Sequence, residues 1–208
     1  MIRQARDLKA ALVEAIRNQS GFVRQRDYLG MSRIGYCPRQ LYRELTNPRP
    51  DLRDGEHWRS WLGVMLEGAI GELLQAEIER YPPGELVAGF DARYKGHVDF
   101  QTLDGQLLIE IKTVTWQAFT RLRIDNVFPD THHAQVQAYL QHGPWQSAVL
   151  VYMARDIPND RQEHCPFWTF DVYPDENIGR ALDAKAKMVL AAWDSGEPPD
   201  CTCGRCRS

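Results

Sequence analysis

Asp99, Glu110 and Lys112 lie in GHVDFQTLDGQLLIEIKT, residues 96–113, among residues otherwise suited to buried strands. Three charges in such a segment need a reason. Asp104-Gly105 suggests how the segment folds: an Asp-Gly pair favours a two-residue type I′ hairpin turn, because both central positions require positive φ. A hairpin closed there sets Asp99 opposite Glu110 and His97 opposite Lys112. Side chains alternate between faces, so all four polar groups share one face. Facing carboxylates repel unless a cation lies between them. Mg²⁺ or Mn²⁺, bound through carboxylates, waters and substrate phosphate, fits two such acids with a lysine beside the attacking water. The plain alternative is a solvated polar face of an antiparallel ribbon.

The elements around this hairpin predict an α/β fold. Leu8, Leu12, Val13 and Ile16 form a short amphipathic stripe, and a second helix starts near Pro38. A long helix follows over about 56–80, with Trp58, Trp61, Leu62, Met65, Leu66, Ile70 and Leu73 on a broad apolar face, and Pro82-Pro83-Gly84 ends it. Strands are expected at 86–94, on both hairpin arms, at 148–153 and at 167–173. A helix starting at Asp130 or Thr131 stops before Gly143. Gln135 and Tyr139 share one face of it and could hold scissile-strand phosphates or the attacking water; on an ordinary amphipathic helix the Gln would be exposed and the Tyr half-buried. His132 and His133 are expected at the surface. A final helix runs from Asp175, after Pro174, to about Asp194 before Gly196.

With 208 residues and 43% hydrophobic content the chain suits one domain. Residues 1–80 would form a helical N-terminal part, 86–175 a catalytic α/β core, and 176–208 the last helix and a cysteine tail. The longest apolar run, SAVLVYMA, is too short to span a bilayer and the N-terminus is too polar for a signal peptide, so no membrane association and a cytoplasmic location are expected. The formal net charge of -3 requires any nucleic-acid binding to use a local basic surface. Arg33, Arg39, Arg43, Arg49, Arg53 and Arg59 offer one, partly offset by Glu44, Asp51, Asp54 and Glu56.

Three of the five cysteines crowd into CTCGRC at the C-terminal end: Cys201, Cys203 and Cys206. In a cytosolic chain this favours metal over disulfides. Cys37, at a probable helix start where the dipole favours a thiolate, supplies a fourth ligand. Cys165 fits no ligand pattern and is expected to be a small buried structural residue.

Asp99, Glu110-Ile111-Lys112 and Gln135-x-x-x-Tyr139, in this order after a long helix, resemble the RecB-like branch of the PD-(D/E)XK nuclease superfamily. The resemblance implies a restriction-endonuclease-like core, a mixed central sheet flanked by helices. It implies metal ligation by Asp99, Glu110 and the Ile111 carbonyl, with Lys112 serving the attacking water. It also implies a ligand from the preceding helix, Glu67, with Glu72 competing. Cys37 in a C-P-R-Q-L-Y context with the three tail cysteines resembles the Cas-four family of CRISPR-adaptation exonucleases and their phage relatives. That likeness implies a [4Fe-4S] cluster joining the chain ends. The tail spacing C-x-C-x2-C is tighter than the family's usual one, which keeps structural Zn²⁺ open.

The expectation is thus a Mg²⁺- or Mn²⁺-dependent DNA exonuclease acting on single strands or ends, with Gln135 and Tyr139 positioning DNA and Arg39 and Arg43 binding it. CRISPR integration proteins or phage recombination proteins would be its partners, and a homo-oligomer is compatible with it. The competing readings are a structure-specific endonuclease on the same core and a catalytically silent, cluster-bearing DNA-binding or assembly subunit.

Overall fold

The computed structural model describes residues 12–16, 27–47, 54–81, 87–161, 165–204 and 206. In chain order the elements are α1 (12–16), β1 (Leu29–Gly30), α2 (Pro38–Thr46), α3 (Asp54–Leu73), β2 (Ile78–Arg80), β3 (Val87–Ala88), β4 (Tyr94–Gly96) and β5 (Phe100–Thr102). They continue with β6 (Leu107–Val114), α4 (Trp116–Asp125), α5 (Asp130–His142), β7 (Ser147–Ala154), β8 (Phe167–Val172) and α6 (Glu176–Ser195). A five-stranded sheet runs β2-β5-β6-β7-β8, and a small one runs β1-β4-β3.

The centre of the large sheet is the parallel pair β6 and β7, in register from Leu107 with Ser147 to Val114 with Ala154. Both strands are mostly β-branched and aliphatic, as strands covered on two faces must be. Alternation sends Leu108, Glu110 and Lys112 to one face with Leu150 and Tyr152, whose side chains are fully buried with α4 and α5 packed on β7. Ile109, Ile111, Val149 and Val151 occupy the other face, where Ile70 of α3 joins them beside Ile78 and Phe100.

The hairpin keeps its expected register, Phe100 with Ile109 and Gln101 with Leu108, but not its expected turn. Among the described residues Asn126 alone of the non-glycines has positive φ, so Asp104 cannot occupy a type I′ position. The chain instead closes with the Gly105 N–H donating to the Thr102 carbonyl at 2.8 Å, Gly105 at φ +68°, and Asp104 Oδ1 accepting from Thr102 Oγ1 and the Gln106 N–H. The looser loop is symmetric about the same residue pair, so the register survives. These bonds also hold the Asp104 carboxyl below the usual aspartate range.

Other elements differ from expectation for local reasons. The single strand expected at 86–94 is two short strands, β3 and β4, because Asp91 turns the chain: its side chain accepts from the Arg93 N–H and its carbonyl from the Tyr94 N–H. The long helix stops at Leu73, and Ile78–Arg80 pairs with β5. Helix α4, unanticipated, starts where Thr115 Oγ1 caps the Ala118 N–H. Helix α5 is capped from Pro129 rather than from Asp130 or Thr131. The last helix is as expected, with Asp175 accepting from Asn177 and Ile178 N–H groups and Gly196 at φ +74° closing it. Of the N-terminal stripe, Leu8 lies outside the described residues, as do Arg49 and Arg53.

Elements far apart in sequence meet where α2 packs on α6. Tyr42 donates to the Gly196 carbonyl at 2.9 Å, Arg39 Nε to the Pro199 carbonyl at 3.0 Å, and Lys185 Nζ to the Ile34 carbonyl at 3.0 Å. Among the described residues, no helix is long and apolar enough to cross a membrane.

Gly96 lets β4 pass close to α5: a Cβ there would lie 2.6 Å from Tyr139 Cε1 and 2.9 Å from Met31 Cβ. Gly96→Ala is expected to lower stability by about 1–3 kcal/mol, the usual cost of overpacking. Chemical denaturation checks it, and the same substitution at open Gly196, strained by its positive φ rather than by crowding, serves as the comparison.

Candidate active site

Glu110 is the most deeply placed charge in the molecule's described part, 2% exposed at the middle of β6. A carboxylate there must be compensated. Its Oε1 takes the Lys112 ammonium and the Gln135 amide, the latter at 2.6 Å. Its Oε2 is buried with no hydrogen-bond partner.

Gln135 and Tyr139, 4% and 0% exposed, are one turn apart on α5 and act on Glu110 in series. The Gln135 amide also donates to the Tyr139 hydroxyl at 3.0 Å, and that hydroxyl donates to the His97 carbonyl at 2.5 Å. Both side chains are spent inside the protein. The expectation that they touch DNA or water directly gives way to a positioning geometry, in which α5 fixes the Glu110 carboxyl and the chain just before Asp99. His97 contributes its carbonyl here; the residue is exposed, and the ladder begins only at Phe100.

Asp99 precedes β5 and its Oδ2 accepts from the Ile111 N–H at 2.7 Å. A strand residue's N–H and C=O point to the same edge, so the Ile111 carbonyl faces Asp99 too. A cleft of about 240 Å³ opens there, lined by Asp99, Ile111, Lys112 and Thr113 and, from α3, Ser60 and Glu67. Arg80 Nη1 holds Glu67 Oε1 at 3.1 Å. Glu72 is exposed and does not line the cleft.

The site's protonation follows from burial and like charge. Burial, then Asp99, push Glu110 up to about 8 against the pull of Lys112. Burial and Asp99 likewise push Glu67 up to about 7. Asp99 is raised by burial, with Lys112 and the Ile111 N–H opposing. Burial works against the charge of Lys112, yet Glu110 and Asp99 hold its ammonium above the ordinary lysine range. Lys112 is therefore a cation here, able to orient a nucleophile but not to take its proton.

Asp99, Ile111 and Glu67 line the cleft and Glu110, with Oε2 buried and unpartnered, is next to Ile111 on β6; their oxygens are of the kind that could hold Mg²⁺ or Mn²⁺. The acids are not drawn into contact. Among the described residues, only the four cysteines form a group of three or more candidate ligands all within 4.8 Å of one another.

Sequence reasoning missed two residues of this region. Arg80, expected at a helix end, is on β2 and anchors Glu67. His132, expected at the surface, is half-buried, bonded to the Tyr152 hydroxyl at 2.7 Å, and pushed down to about 4 by burial and by Lys112. Its spacing three residues before Gln135 on the same helix was a readable signal.

The cysteine site forms as expected in its ligands. Cys37 is the N-cap of α2; its Sγ lies 4.0 Å from that of Cys201, which is 3.6 Å from Cys203, itself 3.5 Å from Cys206. Burial opposes ionisation of Cys37, but the Thr202 and Arg39 N–H groups outweigh it and bring the thiol down to about 5. The Cys206 and Cys203 N–H groups lower Cys201, whereas the Cys203 thiol pushes Cys206 up to about 12. Crowded thiols cannot all ionise without a cation among them. Four thiolates suit either an iron-sulfur cluster or zinc. The separations match the edge of about 3.8 Å around one ion with bonds of about 2.3 Å; four irons, each bearing one thiolate, require the sulfurs to spread. Cys165 lies outside the group, and it is exposed rather than buried. Arg39 is committed to the Pro199 carbonyl, and Arg43 is exposed.

No protein-family model matches this chain, and no curated protein matches it by sequence. Solved structures do. An alkaline exonuclease, LHK-Exo from Laribacter hongkongensis, superposes with a TM-score of 0.62 at 15% identity, over 82% of this chain and 89% of its own. Its complex with dAMP gives 0.63 at 15% identity, over 88% and 93%. SSO0001 gives 0.57 at 19% identity, over 88% and 86%. A phage-related exonuclease from Haemophilus somnus gives 0.50 at 11% identity, over 93% and 88%. The chain thus has the α/β nuclease fold of these exonucleases, a central sheet flanked by helices.

Because Glu110 and Glu67 are raised above their ordinary range, their protonated forms stabilise the metal-free protein at low pH. That contribution is lost as pH climbs towards about 7 to 8. Divalent ions compete with those protons, so the melting-temperature increase caused by Mn²⁺ is expected to grow steadily from pH 6 to about 8 and then level. Thermal scans with Mn²⁺ or EDTA measure it; an increment independent of pH, or unchanged in Glu110→Gln, contradicts ligation by these acids.

Proposed function

We propose that the protein is a metal-dependent deoxyribonuclease, an exonuclease acting on single-stranded DNA or DNA ends, with Asp99, Glu110, the Ile111 carbonyl and Glu67 as metal ligands. The observation that carries this reading is Glu110: a buried carboxyl with Oε2 unpartnered, beside Asp99 and next to a cationic lysine at an open cleft. A binding-only module has no use for so costly an arrangement. The exonuclease fold of the solved relatives supports it.

A bound Mg²⁺ or Mn²⁺ would polarise the scissile phosphate and lower the pKa of its water. The chain's own residues do the rest. Lys112, held by Glu110, points an ammonium at the cleft to orient the attacking oxygen and to offset charge on the phosphate. Gln135 and Tyr139 fix the rotamer of Glu110 as positioning residues. The new bond joins water oxygen to phosphorus as the phosphate ester bond breaks.

An end-labelled oligonucleotide incubated with Mn²⁺ or EDTA tests this. Metal-dependent release of mononucleotides is expected; internal fragments would make it an endonuclease, and no cleavage would make it a binding or assembly subunit. Asp99→Ala, Glu110→Ala and Lys112→Ala should each lower the rate by at least about 10²–10³-fold while DNA binding in EDTA persists. The Glu110→Ala/Lys112→Ala pair should be little worse than either alone.

The four cysteines, in this reading, hold a [4Fe-4S] cluster that clasps the C-terminal segment to the start of α2. The four-thiolate donor set and the N–H groups aimed at the sulfurs support it. A second reading, one Zn²⁺, has the close sulfur spacing in its favour. Anaerobically purified protein is expected to be brown with about four irons per chain, and Cys37→Ala to lose colour and thermal stability where Cys165→Ala loses neither. A colourless protein with about one zinc keeps the ligands and replaces the cofactor.

A further inference from the structure

A groove of about 440 Å³ lies away from the carboxylates, lined by Trp116, Thr120, Arg123 and Ile124 of α4, by Trp168 of β8 and by Arg161. Two indoles and two guanidiniums on one open surface are unusual in a chain of net charge -3. The rings are held in place. The Trp116 ring stacks on Phe119 with centroids 5.5 Å apart at 26°, and its backbone N–H, at the start of α4, donates to Asp156 Oδ1 at 2.5 Å. The Arg123 guanidinium stands 5.5 Å above the Trp168 ring. Of the acids nearby, Asp156 is turned to the backbone of Trp116, and Asp160 meets Arg161 only at 3.5 Å with both side chains more than half exposed. Such an exposed pair contributes little and yields readily to a phosphate.

The sheet register gives the distance from this groove to the cleft. Lys112 pairs with Tyr152, and Tyr152 with Trp168, so the three form one row across β6, β7 and β8 with their side chains on the same face. Adjacent strands are about 4.8 Å apart, which places the backbone of Trp168 about 10 Å from that of Lys112.

We propose that this groove binds single-stranded DNA, stacking bases on Trp116 and Trp168 and holding phosphates with Arg123 and Arg161. The proposal rests on reading the Asp99–Glu110 cleft as a DNase site. Aromatic platforms flanked by arginines recognise single strands because every unstacked base offers a π-face, whereas a duplex presents none along its side. The charge of the two guanidiniums complements phosphate.

The test is binding of a labelled single-stranded oligonucleotide to the intact protein in EDTA, across about 50–200 mM salt. The double variant Arg123→Gln/Arg161→Gln, altered only at exposed side chains, should bind about 10-fold or more weakly, with the slope of log affinity against log salt reduced by about 1.4, two phosphate contacts' worth. Tryptophan fluorescence should be quenched by the single strand and not by a duplex of the same length. With Mn²⁺, the variant should show a raised KM at unchanged kcat. Unchanged affinity and salt slope overturn the groove, even if the wild type cleaves DNA. Equal quenching and equal loss of affinity with duplex overturn the single-strand assignment. Wild-type protein that binds single strands in EDTA through these arginines but cleaves nothing with Mn²⁺ leaves the groove standing and removes the DNase reading instead.

Discussion

A carboxyl group sealed into the middle of a hydrophobic sheet is the constraint from which the rest of this molecule can be understood. Glu110 sits between Ile109 and Ile111 on the central strand, and its neighbours on that face, Leu108, Leu150 and Tyr152, are fully buried. Leaving such a group uncompensated would cost several kcal/mol. Lys112 and Gln135 satisfy one oxygen. Gln135 is available only because α5 crosses this face of the sheet, and α5 is seated partly by the Tyr139 hydroxyl on the His97 carbonyl. The same hydrogen bond fixes the chain two residues before Asp99. One polar network therefore sets the helix, the approach to the hairpin and the geometry of both acids.

The second organising contact joins the chain's distant ends. Cys37 caps α2 and shares a four-sulfur cluster with the C-terminal segment. The bonds from Tyr42 to Gly196, Arg39 to Pro199 and Lys185 to Ile34 place α2 against α6 without any metal. A metal bound by the sulfurs would thus lock a contact that protein groups already register, which is why the sulfurs converge at all. Such sharing of work separates local from global effects. Loss of the metal would free the last few residues first, while the sheet with Glu110 is built from other elements.

What was legible in the sequence depended on whether the signal was local. The register around Asp104-Gly105 was readable because it follows from symmetry about that pair; the turn type was not, since Thr102 and Asp104 side chains stabilise a looser loop through bonds that a propensity for Asp-Gly does not contain. Helix α5 and the last helix were readable from period and Gly stops. Helix α4 was not, because Trp116 to Asp125 puts Arg121 and Arg123 among its apolar residues and leaves Ile124 exposed. The Gln135–Tyr139 pair was visible as a helix face, but its inward direction depends on tertiary packing. The tail cysteines were legible from their crowding and Cys37 from its helix start, whereas the bond from Arg39 to a tail carbonyl 160 residues away carries no local signal.

Electrostatics then limits where a phosphate backbone can lie. Arg33 is engaged by Glu44 and stacked 3.7 Å over Tyr36, Arg80 is held by Glu67, Arg93 by Asp91 and Asp194, and Arg180 by Glu176. These guanidiniums are local partners of acids, so they add little to a long-range field, and the net charge of -3 supplies none. In the proposed reading, affinity for DNA comes from short-range contacts. Base stacking is such a contact, indifferent to net charge, and cations lying over aromatic rings are already partly desolvated. Trp116 and Trp168 with Arg123 combine the two on the face of the sheet that carries Glu110 and Lys112. In the proposed reading binding and cleavage therefore separate in space: a strand would be held on rings and arginines, while the cleft acids, raised by burial and by one another, serve the metal.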